Sequence, residues 1–347
     1  MIPLLKPKFH GEETAAISEV MNSGWWGMGK VTEQLEHEFA DYVGAKYAVA
    51  VNSGTAALHL AVKVLKELGN YKKLNVPALT FASTAMVGLY EGLEIVFQDI
   101  SEKTLCSHYF DANELNINVH YAGHISGTPA MIEDCAHAAG SKQAGKYSGL
   151  ACWSFHAVKN LAAGDGGMIT TDEEEIYKHL RRLRWLGIDK DTYTREVGGY
   201  NWEYDIKEVG LKAHMNDITA AIAIVQLKHL DDMNGIRAAI AATYSTELKD
   251  LPITLPPLSD TWHLYVIRLK NRDKFVEYML DKGISVGVHY KPLNHYSIFP
   301  DADLPVTEKV YKEICSLPIF PDLTNTEQDY IIQTIKEWFE NSNSSSL

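Results

Sequence analysis

Short apolar runs alternate with helical patterns through the first two thirds of the chain. The run at 47–51 ends at Asn52-Ser53-Gly54-Thr55, and a helical pattern follows at 56–68, which predicts a strand, a tight turn and a helix. Further strands are predicted at 75–78, 95–100, 117–120, 130–133, 153–156 and 168–171, and a further helix at 82–91. Short buried strands that alternate with helices predict a mostly parallel sheet sandwiched by helices.

The pattern changes toward the C-terminus and predicts a second, smaller domain. Strands are predicted at 262–269 and 285–289, and helices at 273–281 and 327–340. A long Ala-, Leu- and Ile-rich helical pattern at 217–248 precedes them. We therefore expect a large α/β domain at 1–235, a small α+β domain at 236–340, and a disordered tail at 341–347, which has almost no apolar surface to bury.

Three more helices are predicted in the large domain. Amphipathic patterns occur at 12–21, at 32–43 and at 172–186, and a Gly/Trp-rich turn at 23–29 separates the first two. Thr32 has the residue type and position of an N-cap for the second helix.

Composition narrows the class of protein. The 347 residues are 46% hydrophobic and 22% charged, as in ordinary globular proteins, and the formal net charge of −13 disfavours nucleic acid as a partner. The four cysteines lie far apart without a C-x-x-C pair, which predicts reduced thiols in the cytoplasm. No signal-peptide core or long apolar run is present, so we expect neither secretion nor a membrane span.

The first candidate for chemistry is the turn Asn52-Ser53-Gly54-Thr55-Ala56-Ala57. Small residues between a strand and a helix leave backbone N–H groups free for an anion at the positive end of the helix dipole. The alternative is an ordinary N-cap, in which Ser or Thr satisfies those donors.

The second candidate is Ile132-Glu133-Asp134-Cys135-Ala136-His137, where a predicted strand ends in polar residues. Ligands of open α/β sheets bind at the carboxyl ends of the strands. The alternative is that Asp134 caps the following segment and His137 is a hydrogen-bonded core residue.

The third candidate is Lys159, in Ser154-Phe155-His156-Ala157-Val158-Lys159-Asn160, just after a predicted strand. Desolvation at such a place lowers the pKa of a lysine and makes its amine nucleophilic. The alternative is a surface lysine, the commonest fate of this residue type.

Together, the three candidates are the parts of a pyridoxal 5'-phosphate (PLP) site: a phosphate cradle, a carboxylate for the pyridinium nitrogen, and a reactive lysine. The segments VNSGTAALHLA, VPALTFASTA, IEDCAHAAG, SFHAVKNLAAGDGGMITT and GVHYKPL occur in one order between Trp25 and about Trp338. In this combination the chain resembles the fold-type-I nucleotide-sugar aminotransferases of the DegT/DnrJ/StrS group. The resemblance implies transfer of an amino group from L-glutamate to a keto-sugar nucleotide, for amino-sugar and polysaccharide biosynthesis, with the cofactor alternating between its PLP and PMP forms. The implied acceptor is a 4-keto-6-deoxy sugar, with a 3-keto sugar as the alternative.

The resemblance also implies residue roles. Lys159 matches the catalytic lysine that carries the cofactor, and Asp134 matches the partner of its pyridinium nitrogen. The remaining cofactor contacts that it implies are Gly54, Thr55 and Ser154 at the phosphate, Phe81 and His137 beside the ring, and Lys212 at the phosphate of a neighbouring subunit. The last contact implies a homodimer with shared active sites.

Weaker patterns bear on the substrate cleft and on whether the chain binds a metal. Aromatic and basic residues that can contact a sugar nucleotide are Trp25, Trp26, His289, Tyr290 and Lys291, and packing in the core or an interface is the alternative. The histidines at 120, 124 and 137 come without the Cys or carboxylate pattern of a zinc site, so no metal is predicted.

Two departures from the family pattern are visible. The segment between Asp99 and Asp134 is short, as if a crossover helix were trimmed after His120-Tyr121-Ala122-Gly123, and His214 stands where an arginine is frequent. Two rival functions remain at this point. A sugar dehydratase of the same fold lacks the anchoring lysine, so Lys159 argues against it, whereas a non-catalytic PLP-binding regulatory protein keeps the same site.

Overall fold

A seven-stranded sheet forms the centre of the larger part of the molecule. The computed structural model describes residues 1–189 and 203–344. The strands are β1 Tyr47–Val51, β2 Lys73–Pro77, β3 Glu94–Gln98, β4 Leu115–Val119, β5 Ile132–Asp134, β6 Leu150–Ser154 and β7 Gly167–Thr171, in the spatial order β1-β7-β6-β5-β4-β2-β3. Only β7 runs against its neighbours, β1 and β6. The prediction of a mostly parallel sheet is therefore confirmed.

Helices cover both faces of this sheet. They are α1 Glu12–Ser23, α2 Lys30–Val43, α3 Gly54–Gly69, α4 Ser83–Tyr90, α5 Glu174–Leu183, α6 Asp217–Lys228 and α7 Leu230–Leu248. Strand residues alternate between two apolar cores, as the pleat requires. In β1, Val49 and Val51 pack with α3, whereas Ala48 and Ala50 pack with α2 and α6.

A smaller layer follows α7. Its elements are β8 Tyr265–Arg268, α8 Arg272–Asp281, α9 Pro305–Tyr311, β9 Ile314–Leu317 and α10 Asn325–Ser344, with β8 and β9 antiparallel. Leu230 belongs to a core of the large sheet, and Ile240 belongs to a separate core built on β8, β9 and α10. We propose, on this change of core, that the domain boundary lies near residue 235, inside α7.

A shared apolar cluster holds the small layer against the large sheet. Leu79 and Tyr121 contribute to it from the large sheet, and Leu264, Val266 and Ile314 contribute from the small layer. Tyr290 packs against this cluster, and residues 289 and 290 both line a cavity at the carboxyl ends of the central strands.

Several predicted elements are corrected. Residues 285–289 form no strand beyond a single bridge of Gly287 to Ser316, because the chain leaves β9 there and turns toward the cavity. The single helix predicted at 217–248 is two helices, α6 and α7, which meet at His229.

The predicted N-cap of α2 is also wrong. The helix begins at Lys30, and Thr32 lies in its first turn with a buried hydroxyl. The capping group is the carboxylate of Asp217, whose Oδ1 accepts hydrogen bonds from Gly29 N at 2.8 Å and from the Thr32 hydroxyl at 2.6 Å. A long-range carboxylate therefore satisfies the helix donors that a local side chain was expected to satisfy.

The predictions for the short segment and the tail have different outcomes. Residues 120–131 connect parallel strands β4 and β5 through one 3-10 turn, Tyr121–Gly123, without an α-helix, as the trimmed crossover predicts. In the tail, α10 continues to Ser344, because the helix anchored by buried Ile331 and Ile335 extends beyond these residues. Residues 345–347 lie outside the described ranges.

Within residues 1–189 and 203–344, no helix has the length and apolar character that crossing a bilayer requires.

Candidate active site

One cavity of about 430 Å³ opens at the carboxyl ends of β5 and β6. All three segments singled out in the sequence border it. The residues that define its chemistry are Ser53, Gly54, Thr55, Thr80, Phe81, Asp134, His137, Ser154, His156, Lys159, Asp165, His289 and Tyr290. The sequence-predicted phosphate turn, carboxylate and lysine therefore share one space.

The first wall of the cavity is the start of α3. Ser53 is the N-cap, and its hydroxyl accepts a hydrogen bond from Ala56 N at 3.1 Å. A Cβ on Gly54 would lie 2.8 Å from Cβ of Ser154, so only glycine lets the helix approach the end of β6 this closely. First-turn N–H groups have no partners within a helix, so this wall suits an anion.

The second wall carries Asp134 at the end of β5. Its Oδ1 accepts from Ala136 N at 3.1 Å, and its Oδ2 accepts from the Thr84 hydroxyl at 3.0 Å. Burial raises the pKa of Asp134, and these two donors and the charge of Lys159 offset the rise only in part. In the described parts of the chain no cationic side chain forms a salt bridge with this carboxylate.

The third wall carries Lys159 in the turn after β6. Its backbone N–H donates to the carbonyl of His156 at 2.8 Å, and its side chain borders the cavity. Burial lowers the pKa of the amine to about 8, against the opposing pull of Asp134. The lowered pKa increases the unprotonated fraction of the amine near neutral pH, and the unprotonated amine is the nucleophile.

His137 is a neutral imidazole whose tautomer is set by the backbone. Its Nδ1 faces Ala122 N at 3.2 Å, and because an amide can only donate, Nδ1 carries no proton. Its Nε2 therefore carries the hydrogen and donates to the hydroxyl of Tyr290 at 3.2 Å. Burial, together with the nearby charge of Lys159, holds the pKa of His137 well below its usual value.

The rim of the cavity is aromatic. Phe81 is 59% exposed, and its ring centroid lies 6.0 Å from that of Tyr290. Next to Tyr290, Nδ1 of His289 lies 2.9 Å from the Ser316 hydroxyl, and burial lowers the pKa of His289 to about 4. An exposed ring that lines the same cavity as a buried carboxylate is a surface on which a flat cofactor can pack.

Four predicted site residues do not line this cavity. The indole N–H of Trp25 donates to Met28 O at 3.0 Å, and that of Trp26 donates to Met21 O at 3.2 Å. Lys291 lies over the ring of Tyr296, and the Nζ of Lys212 lies 3.6 Å from the ring centroid of Trp185. The cavity of the single chain does not bring these four residues together with the others, and their roles stay predictions.

Two threonines that the sequence patterns did not single out support the site. Thr84 lies behind the cavity lining and donates to Asp134, and its hydroxyl lies 2.9 Å from that of Thr80, which lines the cavity. The available signal was the spacing of two threonines, four residues apart, across the start of α4. That spacing aligns two hydroxyls on one helical face, but it gives no direction toward β5.

The sequence profile of the DegT/DnrJ/EryC1/StrS aminotransferase family matches residues 7–336. The chain belongs to this family.

Solved structures agree with the profile. A putative sugar aminotransferase of Streptococcus pneumoniae, Spr1654 in its PMP form, superposes with a TM-score of 0.89 at 26% identity, over 98% of this chain and 100% of that chain. PseC of Helicobacter pylori, an aminotransferase in the biosynthesis of pseudoaminic acid, gives 0.88 at 25% identity, over 98% and 99%. AtS13 of Actinomadura melliaura gives 0.87 at 28% identity, over 97% and 98%.

These matches confirm the predicted family, fold, enzyme class and cofactor. The residues fit the cofactor on structural grounds as well. A buried carboxylate that forms no salt bridge with a described residue suits a protonated ring nitrogen. A helix N-terminus suits a phosphate, and an amine of lowered pKa suits attack on a carbonyl carbon. Two of the three histidines for which the sequence predicts no metal site contact protein groups: Nε2 of His120 lies 2.7 Å from Glu133, and Nδ1 of His124 lies 3.3 Å from the carbonyl of Leu258.

Proposed function

We propose that this enzyme transfers an amino group from L-glutamate to a keto sugar carried by a nucleotide, in the cytoplasm, as a step in amino-sugar and polysaccharide biosynthesis. The observation that carries the proposal is the meeting of Lys159, Asp134 and the α3 N-terminus at one cavity. The sugar aminotransferases among the similar structures support the choice of a sugar acceptor. A 4-keto-6-deoxy sugar remains our proposed acceptor.

PLP, when bound, supplies an electron sink for the bond that breaks at the amino donor. Asp134 would stabilise the positive charge on the ring nitrogen, because the carboxylate is buried and forms no salt bridge with a described residue. The Nζ of Lys159, with a pKa of about 8, accepts a proton from the donor carbon and returns it during transfer. Thr84 holds the carboxylate in place.

The acceptor is proposed to enter along the aromatic rim. Phe81 and His137 pack beside the cofactor, and His289 and Tyr290 border the space where a sugar would lie. Lys291, Trp25 and Trp26 lie outside the cavity of a single chain, and we assign them to the nucleotide end of the cleft.

A homodimer with shared active sites would explain why Lys212 lies outside the cavity of its own chain. Lys212 lies on an exposed segment, residues 206–212, in which the apolar side chains Ile206 and Val209 are 62% and 83% exposed. An apolar surface of this kind favours contact with a second copy, across which Lys212 would reach the partner's phosphate. Mixtures of Lys159→Ala and Lys212→Ala subunits test the idea, because mixed dimers regain activity only if the two residues serve one site from different chains.

A regulatory protein that binds PLP without turnover is the competing function, and a dehydratase is disfavoured by Lys159. One experiment separates them. Purified protein should show the visible absorption band of lysine-bound PLP, and L-glutamate should bleach that band. A panel of keto-sugar nucleotides should then give an amino sugar by mass spectrometry. A colourless protein, or a coloured one that neither bleaches nor yields an amino sugar, contradicts the proposal.

A further inference from the structure

A buried amide network lies directly behind the catalytic lysine. Asn160 follows Lys159 in the chain and is 6% exposed. Its Nδ2 donates to Oδ1 of Asn234 and to the carbonyl of Thr261, both at 2.7 Å, and its Oδ1 lies 2.9 Å from Nδ1 of His263. One side chain therefore joins the lysine turn, helix α7 and the segment that enters the small layer.

Backbone groups fix the direction of every bond in this network. The carbonyl of Thr261 can only accept, so the NH2 side of Asn160 must face it and the oxygen must face His263. Asn234 is oriented in the same way, because its Nδ2 donates to the carbonyl of Ala139 at 3.0 Å. His263 therefore carries its proton on Nδ1.

The same network reaches His137 by two routes. The rings of His263 and His137 are in contact in a tilted arrangement, with centroids 4.2 Å apart and planes inclined by 36°. The hydroxyl of Thr261 donates to the backbone carbonyl of His137 at 2.9 Å. A Cβ on Gly123 would lie 2.2 Å from that hydroxyl, at a φ of +91°, so glycine is required for the approach.

We infer that Asn160, Thr261 and His263 are positioning residues that hold the His137 ring in a fixed relation to the Lys159 amine, with Nε2 as its donor nitrogen. This inference deepens the proposed function and rests on it. None of the three positioning residues borders the cavity, so each acts through Lys159 or His137. Hydrogen bonds and ring contacts therefore connect both groups, Lys159 and His137, to the segment that enters the small layer.

His263 gives the sharpest test, through two substitutions that differ in one property. In His263→Leu the oxygen of Asn160 loses its donor and the His137 ring loses its flat neighbour, whereas His263→Gln restores a donor. In the holoenzyme we expect the PLP dissociation constant to rise about tenfold in His263→Leu, with a shifted pH midpoint of the visible band, and to lie within about threefold of the wild-type value in His263→Gln.

Two isosteric threonine variants supply the control for stability. Thr261→Val removes the bond to the His137 carbonyl. Thr334→Val removes a bond of 2.7 Å to the carbonyl of Tyr330 in α10, at another buried site far from the cavity. We expect both variants to melt at a lower temperature, and only Thr261→Val to weaken PLP binding and to lower kcat more than it changes KM for L-glutamate.

The outcomes separate this inference from the proposed function. If the wild-type protein shows no PLP band, the proposed function fails before the variants are compared. If the wild-type band is normal but His263→Leu and Thr261→Val lose only thermal stability, with unchanged PLP affinity and pH midpoint, the network is structural and the inference is overturned. Failure of His263→Gln to recover PLP affinity would overturn the assignment of the Nδ1 donor.

Discussion

Strand β5 ends in two neighbouring carboxylates that face opposite sides of the sheet and have opposite environments. Glu133 accepts four hydrogen bonds, from His120, Gly145, Tyr147 and Ser148. Asp134 accepts two and borders the cavity. Burial raises the pKa of both carboxyls, but for Glu133 the donors outweigh burial and the pKa is lowered, whereas the pKa of Asp134 stays raised.

The difference shows that the number of hydrogen-bond donors around a buried carboxylate distinguishes a structural role from a chemical one. Glu133 is satisfied by the protein and anchors the loop at 145–148 to the sheet. Asp134 forms no salt bridge with a described residue, and we propose that the ring nitrogen of the cofactor is its cationic partner. Four predictions test this division, in order of decreasing effect.

The largest effect is expected at Asp134. Asp134→Asn keeps the shape and the acceptor for Ala136 N, but it removes the charge that stabilises the ring cation. We expect the rate of the half-reaction with L-glutamate to fall about 10²–10³-fold, measured by stopped-flow absorbance, with thermal stability unchanged or higher. A rate within tenfold of the wild-type value would mean that the carboxylate has no catalytic role.

At Glu133 we expect the opposite result, a loss of stability without a loss of rate. In Glu133→Gln one oxygen becomes an NH2 group that must face donors such as the amides of Gly145 and Tyr147. The free energy of unfolding should fall by about 3 kcal/mol in denaturant titrations, while the rate per folded enzyme stays near the wild-type value. Selective loss of rate without loss of stability would reverse the roles assigned to the two carboxylates.

A smaller effect is expected at the hydroxyl that orients Asp134. Thr84→Val removes the bond to Oδ2 and raises the pKa of Asp134 further, so kcat/KM should fall about tenfold. Thr84→Ser is the matched control, because it keeps the hydroxyl and should remain within about threefold of the wild-type enzyme. Equal losses in the two variants would point to packing of the methyl group instead.

The smallest effect concerns the cost of burying Lys159. Its folded pKa of about 8 lies below the ordinary value of 10.5, so the unfolded apoenzyme binds more protons between these values and stability rises with pH across them. Lys159→Met should therefore stabilise the apoenzyme by about 1 kcal/mol at pH 7, with a smaller gain above pH 10.5. Exposed Lys178 is the control, and an equal gain in Lys178→Met would remove the argument from burial.

The site was easier to predict than the small layer, for a physical reason. Gly54, Asp134 and Lys159 each follow a strongly apolar run, and parallel strands bring their carboxyl ends to one edge. Local pattern and sheet geometry are therefore enough to bring these residues together.

The wrong or missing predictions share another cause, because long-range contacts determine the structure at those positions. Residues 285–289 have the composition of a strand, but they turn away to carry His289 and Tyr290 to the cavity. Thr32 looks like a cap until Asp217, remote in sequence, takes that place. Thr84 and Asn160 act through partners that sequence spacing does not reveal.

The central claim is that one amine, that of Lys159, carries the cofactor beside Asp134. Reduction of the purified yellow protein with borohydride fixes the cofactor to its lysine, and mass spectrometry of the digested protein then identifies the modified residue. The account predicts a single modified peptide that contains Lys159, and none from Asp134→Asn protein at low PLP concentration, where binding is weakened. Modification of a different lysine, or no modification of a protein that binds PLP, would contradict it.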